Sequence, residues 1–300
     1  MKRPYVSLVA LTAAVVLTWP MMRGAQAQVS PQTLKSISTP DKVDTPIGQL
    51  EFFDGVPTNA TVGTLYDNLD RMRGVEVFLD NVGALSVYSV IAGNAGIGLT
   101  QPNQIAVAEK LLDSHSLYLT GNTDTMYSIG HLDLAAYGPT VVEVPPGMLG
   151  MLDDAWMRYV GDFGVAGPDR GKGGKYLVLP PGYTGAVPDG YFVLRPSTYV
   201  NWFFMRGSIA DGLAPALKNI KENLKVYPLK SASSPPPTEF VNITGKSYNT
   251  VAPSDFSYFE ALDKIIQREP IDALGSESRG SLAAIGIVKG KPFNPDARMK

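Results

Sequence analysis

The chain has 300 residues, 44% hydrophobic and 18% charged, with 30 Gly and 24 Pro: an ordinary globular composition rich in turns and strands. The formal net charge is −2 and there is no Cys, which excludes disulfides, a thiolate nucleophile and any Cys-ligated metal. The acidic balance also argues against nucleic acid, whose binding surfaces concentrate Lys and Arg.

The N-terminus, "MKRPYVSLVALTAAVVLTWPMMRGAQA", places Lys2 and Arg3 before an apolar run from Val6 to Met22, followed by small residues at Ala25 and Ala27. This pattern predicts a secretory signal peptide over residues 1–27, with export to the periplasm or the extracellular space. Pro20 and Arg23 interrupt the run too early for a good span of ~30 Å of hydrocarbon. Cleavage would remove three basic residues and no acid, leaving 23 basic groups against 28 acidic ones.

Residues 28–58 are polar, with Pro31, Pro40, Pro46 and Pro57 breaking any long helix, so an irregular lead-in is expected. Residues 59–300 read as one domain. Leu65, Leu69, Met72, Leu79 and Val82 recur at helical spacing, which predicts one or two helices over 59–92, capped by Asn59 or Thr61 and broken by "GNAGIG".

From about 116 to 206 the runs "SLYLT", "TMYSIGHLDL", "TVVEVPP", "KYLVLPP", "GYFVLRP" and "VNWFFMRG" alternate with Gly and Pro, predicting a β-sandwich. One helical interruption is expected at "DDAWMRYVGDFG", capped by Asp153. Helices return over 212–300. "APALKNIKENLKVYPL" ends at Pro228, and "DFSYFEALDKIIQREP" carries a capping-box pattern at Ser257 and Glu260 and stops at Pro270. Between them, "SSPPPTEF" is a stiff polyproline-like connection. Asn294 and Pro295 resemble the opening of a further helix with no room to form, so either the terminus frays or the chain is a truncated form of a longer protein.

The common catalytic templates fail. "GPDRGKGGKYL" lacks the phosphate-loop spacing, because Ala166 and Asp169 stand where Gly is needed, and "GKS" at 245–247 fails at Phe240. No Gly-x-Ser-x-Gly elbow, Ser-x-x-Lys or His-Glu-x-x-His is present, and there are only two histidines, His115 and His131. No metal and no cofactor is therefore expected.

Two constellations remain. On a strand through 126–134, Leu132 and Leu134 face the core while Tyr127, His131 and Asp133 face the other way, where Asp133 can fix the imidazole tautomer. Upstream, "LTGNTDTMYS" sets Asn122, Thr123 and Asp124 between apolar flanks. Asn and Asp bond to backbone amides just downstream, so a tight structural turn is the simpler reading; at the floor of a cleft the same groups and Tyr127 become ligand contacts. Arg206 follows "NWFFM", where a guanidinium needs a carboxylate or carbonyl partner, either an internal ion pair or an anionic ligand.

The blocks "LTGNTDTMYSIGHLDL", "GPTVVEVPPGMLGMLDDAW", "GKGGKYLVLPPGYTGAVPDGYFVLRPSTY", "RGSIADG" and "AAIGIVKGKPFNPDARMK" resemble the bacterial family called domain of unknown function 1254, from about Thr61 to Lys300. The resemblance implies an α+β chain, a small immunoglobulin-like β-sandwich flanked by helices from before and after it. It also implies a second β domain, of unknown function 1214, after "NPDARMK". The family's Asn-Thr-Asp-Thr-x-Tyr motif falls on Asn122, Thr123, Asp124, Thr125 and Tyr127, with His131 outside it. No settled activity comes with the family.

The expected function is exported binding of a small molecule at Asn122, Thr123, Asp124, Tyr127 and His131, without covalent catalysis. One alternative is a hydrolase or lyase with Asp124 as base, Tyr127 as acid and Arg206 steadying an oxyanion. Another is a structural module that pairs with a second β domain or with its own copies.

Overall fold

The computed structural model describes residues 29–296 and 299–300. The expected signal peptide, residues 1–27, lies outside them. The chain divides into two units, residues 1–63 and 64–300.

The first unit corrects the expectation of an irregular lead-in. Ser30 caps a short helix α1 (Pro31–Ile37) by accepting the Thr33 amide, with Pro31 at the helix start, where its missing N–H costs nothing. An antiparallel meander follows: β1 (Lys42–Thr45), β2 (Gly48–Phe53) and β3 (Val56–Pro57). The Thr61 hydroxyl satisfies both backbone groups of Glu51, and Thr58, not Asn59 or Thr61, caps the next helix through the Thr61 amide.

That helix, α2 (Asn59–Asp80), and α3 (Val82–Gly96) meet at a bend of 57°. No single helix among the described residues is long and apolar enough to cross a membrane. The bend at Asn81 is fixed from two sides. Asn81 donates to the Val77 carbonyl and accepts from the Trp156 indole at 3.0 Å.

The remaining strands are β4 (Gln104–Val107), β5 (Met126–Asp133), β6 (Thr140–Val144), β7 (Met148–Asp154), β8 (Tyr159–Gly164), β9 (Gly174–Val178), β10 (Phe192–Leu194), β11 (Val200–Gly207), β12 (Lys225–Pro228) and β13 (Glu239–Asn242). The helices are α4 (Leu134–Tyr137), α5 (Leu213–Asn223), α6 (Ser257–Arg268) and α7 (Ser276–Ala284). A six-stranded sheet runs β13-β4-β5-β11-β7-β8 and a four-stranded sheet β10-β9-β6-β12, antiparallel except for the β13–β4 and β10–β9 pairs. The class is α+β, as expected.

Both sheets contribute to one core: Met126, Leu132, Leu152, Phe203 and Met205 from the larger, Val142, Val144, Tyr176 and Val226 from the smaller. A second core joins α3, α6 and α7 to Trp156 and Val200 at the strand ends. A third packs Val90, Leu99, Leu112 and Tyr248 over Tyr127 and Ile129, on the opposite face of the larger sheet.

Several expectations are corrected. "DDAWMRYVGDFG" is a β-hairpin and not a helix, because Asp154 accepts the amides of Trp156 and Arg158 and binds the Arg158 guanidinium, closing a turn with Met157 at φ 58°. Gly164 ends β8 at φ 73°, where a Cβ would lie 1.9 Å from the Met148 carbonyl oxygen. "SLYLT" forms only an isolated bridge from Ser116 to Tyr248. The helix expected to run to Pro228 ends at Asn223, and Pro228 closes β12, an edge strand where no N–H is required. No side chain caps α6 at Phe256; instead Asp255, one residue earlier, accepts the amide and hydroxyl of Ser257, and the expected Ser257–Glu260 capping box does not form. The glycine loop 167–173 folds around its own acid: Asp169 accepts the Gly173 amide and the Tyr176 hydroxyl, filling the place an anion would take.

One buried acid ties the second unit together. Glu269, 1% exposed, accepts the Tyr88 hydroxyl at 2.7 Å and the amides of Tyr199 and Val200 at 2.6 and 3.1 Å. Lys289 donates to the carbonyls of Ile266, Gln267 and Glu269, closing the end of α6. Glu269→Ala would orphan two amides and a hydroxyl, at about 3 kcal/mol, and lower the Tm by about 10 °C. Calorimetry of the purified variant checks this; an unchanged Tm would remove Glu269 from its role.

Candidate functional site

The motif turn forms as the simpler sequence reading has it. The Asn122 side-chain oxygen Oδ1 accepts the backbone amides of Asp124 and Thr125 at 3.2 and 3.1 Å and the Thr125 hydroxyl at 2.8 Å. The Asn122 backbone N–H donates to the Tyr127 hydroxyl at 3.3 Å, closing the turn onto β5. Thr123 and Asp124 are exposed, and no hydrogen bond joins Asp124 to Tyr127. The motif thus shapes the entry to the strand, and its two outermost polar groups face solvent.

The strand itself is less wet than expected. Tyr127 is only 8% exposed and Ile129 2%, because α3 and the segment around Leu112 cover that side. Asp133 does not orient His131: it caps α4 through the Ala136 amide and pairs with Arg268. Burial instead lowers the His131 pKa, which Asp133 opposes and Arg268 reinforces, so the imidazole is neutral at pH 7.

Strand register assembles a face that the sequence reading did not. Period two puts Trp202, Phe204 and Arg206 of β11 on one side. Their cross-strand partners are His131, Ile129 and Tyr127 on β5, and Asp153, Met151 and Leu149 on β7. The third core covers the β4–β5 side of this face and Trp202 and Phe204 pack against it, half-buried like Arg206 and Met151, while Leu149 is exposed. Trp202 and Phe204 lie 5.3 Å apart between ring centroids, and Phe204 and Tyr127 6.2 Å. They form an aromatic strip about 13 Å long from Trp202 to Arg206.

Polar groups at both ends of the strip lack partners. The Arg206 guanidinium sits 5.4 Å from the Phe204 ring centre, and its Nε is buried with no hydrogen-bond partner among the described residues. The expected internal ion pair is absent there. The Trp202 Nε1 is likewise buried and unpartnered. Beside it in register is Asp153, 3% exposed, with no hydrogen bond to its carboxylate among the described residues. Burial, and then the charges of Asp154 and Asp162, push the Asp153 pKa up to about 6. Asp153 was expected as a helix cap, and only the β7–β11 register brings it here. No group of three His, Asp or Glu side chains among the described residues is placed to hold a metal ion.

Arg206 and Tyr127 are thus direct cross-strand neighbours, His131 lies one strand turn beyond them on the same face, and Asn122 supports Tyr127 from behind. Thr123 and Asp124 stand apart on the turn. The alternation in "NWFFMR" is the signal that would have grouped Trp202 and Phe204 with Arg206.

Two outcomes follow. Asn122→Ala should cost about 1 kcal/mol through loss of the turn bonds, while Asp124→Ala should stay within about 0.5 kcal/mol of the parent in urea unfolding. Equal costs would contradict the geometry. Because the folded-state pKa of Asp153 is raised, ionising it opposes folding: the penalty is absent below about pH 4 and complete above about pH 6. Asp153→Asn should therefore melt higher than the parent at pH 7.5 and level with it near pH 4. A pH-independent difference in Tm would show that the carboxylate is unstrained.

Comparisons with known proteins agree with this architecture and leave the chemistry open. Residues 102–228, which span β4 to β12 and hold every site residue above, match the model of "Protein of unknown function (DUF1254)". The solved structure of the VPA0106 protein from Vibrio parahaemolyticus is similar in fold, with a TM-score of 0.53 and 15% identity over 78% of this chain. This chain covers 55% of that structure's length. An uncharacterised protein from Burkholderia cenocepacia matches at TM-score 0.29 and 11% identity, over 59% of this chain and 52% of its own, too distantly to inform the fold. No curated protein matches. Over residues 102–228 the chain is thus similar to the DUF1254 family, whose proteins are of unknown function.

Proposed function

We propose that this chain is an exported protein, periplasmic or extracellular, that binds a small anionic molecule with an apolar body along the β11 face. The two packed sheets, taken as an immunoglobulin-like sandwich extended by parallel edge strands, provide the platform. The single observation that carries the reading is the Arg206 guanidinium, half-buried over Phe204 with its Nε unpaired. A half-buried cation with no counter-ion is costly, and an anionic ligand meeting the accessible part of the guanidinium offsets that cost.

The aromatic strip then serves as the floor for the ligand's body, and the Trp202 indole N–H and Asp153 carboxylate offer an acceptor-seeking and a donor-seeking group further along. Asn122, through Tyr127, keeps β5 in place beside Arg206. Binding in this arrangement needs no covalent step, and the motif's exposed Thr123 and Asp124 are left to the rim.

The test is a thermal-shift and calorimetric titration of the mature chain with carboxylates of increasing apolar size. Aromatic and long-chain carboxylates should stabilise it more than acetate. Arg206→Met, which keeps the stem and removes the charge, should weaken the best of them by about 10- to 100-fold, a loss of one charged hydrogen-bond pair. Equal affinity in Arg206→Met would sink the proposal. So would stabilisation by neutral analogues alone.

A further inference from the structure

The long helix α2 carries an apolar face that the described residues leave exposed, its Val75 and Leu79 edging a groove shared with Phe256, Phe259 and Phe293. Leu65 and Leu69 are each 38% exposed, Met72 62%, Val75 55% and Leu79 64%. The opposite side, at Val77 and Phe78, packs into the core of α6 and α7. At 100° per residue the exposed five fall within about 60° of Met72, so they form one stripe about 21 Å long.

Their spacing is palindromic. From Met72 the stripe steps three residues to Leu69 and four more to Leu65, and likewise three to Val75 and four to Leu79. An antiparallel copy related by a two-fold axis at Met72 would bring Leu65 level with Leu79 of the second copy, Leu69 level with Val75 of the second copy, and Met72 against itself. Such self-complementarity is what an isologous interface requires and what an unrelated partner or a lipid surface does not.

The five side chains leave on the order of 500 Å² per copy to bury, below the ~800 Å² per partner of a standard specific interface, so residues beside the stripe must add to the contact. We propose that the chain forms an antiparallel homodimer through α2, with the two-fold axis at Met72.

The absence of cysteine makes the test direct. In the mature chain, Met72→Cys should form a disulfide-linked dimer under mild oxidation, since the two Cα atoms meet at the axis. Leu65→Cys and Leu79→Cys should each stay uncrosslinked alone, being about 20 Å from their own symmetry mates, and should crosslink when mixed. Met72→Glu should move the light-scattering mass from dimer to monomer while leaving the melting curve cooperative.

A parent chain that is monomeric at tens of micromolar overturns the proposal. So does a Met72→Cys variant that crosslinks no faster than Leu65→Cys, or a dimer that survives Met72→Glu. Sedimentation with phosphatidylglycerol and phosphatidylcholine vesicles supplies the remaining arm. A monomer that co-sediments through α2 would assign the stripe to a lipid surface instead.

Discussion

The Glu269 carboxylate is the constraint on which the second unit depends. It sits where α6 ends, accepts a hydroxyl from α3 and takes the two amides that open β11. A carboxylate in that position is expensive to bury, and burial does raise its pKa against the three donors that lower it. What it provides is position. β11 is a central strand of the larger sheet, so fixing its first residues fixes the register of β5 on one side and β7 on the other.

From that register follows the character of the exposed sheet face. Phe203 and Met205 enter the core between the sheets, while Trp202, Phe204 and Arg206 point away from it. The third core, with Val90 of α3, covers the β4–β5 side of that face and meets Trp202 and Phe204 only in part, so the strip along β11 keeps aromatic surface, a cation and an indole N–H without partners among the described residues. Other buried polar groups, at Asp154, Asp169, Asn81 and Asn201, have several partners each. The Ser128 and Tyr248 hydroxyls are also buried without partners among the described residues, while the Arg206 and Trp202 groups share the outward face of β11 with the buried Asp153 carboxylate.

Much of the fold was legible because the relevant signals are local. Strands at 126–133, 140–144, 174–178, 192–194 and 200–207 coincide with apolar runs bounded by Gly and Pro, and α6 and α2 follow their helical periodicity. The failures were non-local or concerned polar side chains. "DDAWMRY" has helix-compatible composition, yet Asp154 bonds the amides that a helix would need and the β11 partnership completes the hairpin. β12 and β13 are four-residue edge strands whose sequences carry little pattern, and they exist because β6 and β4 offer free edges.

By itself, the sequence determined the α+β class, the strands from β5 to β11 that coincide with apolar runs, the turn at Asn122 and the side of β5 on which Tyr127 and His131 stand. Each of these rests on side-chain spacing or on bonds between residues a few positions apart. Only the tertiary structure decided that Asp133 serves Arg268 and α4 and not His131, and that Asp153 belongs beside Trp202. It alone also decided that Arg206 has no internal counter-ion among the described residues. Those outcomes depend on which strands pair and in what register, a choice made by burial of the whole core and therefore invisible in any one stretch of chain.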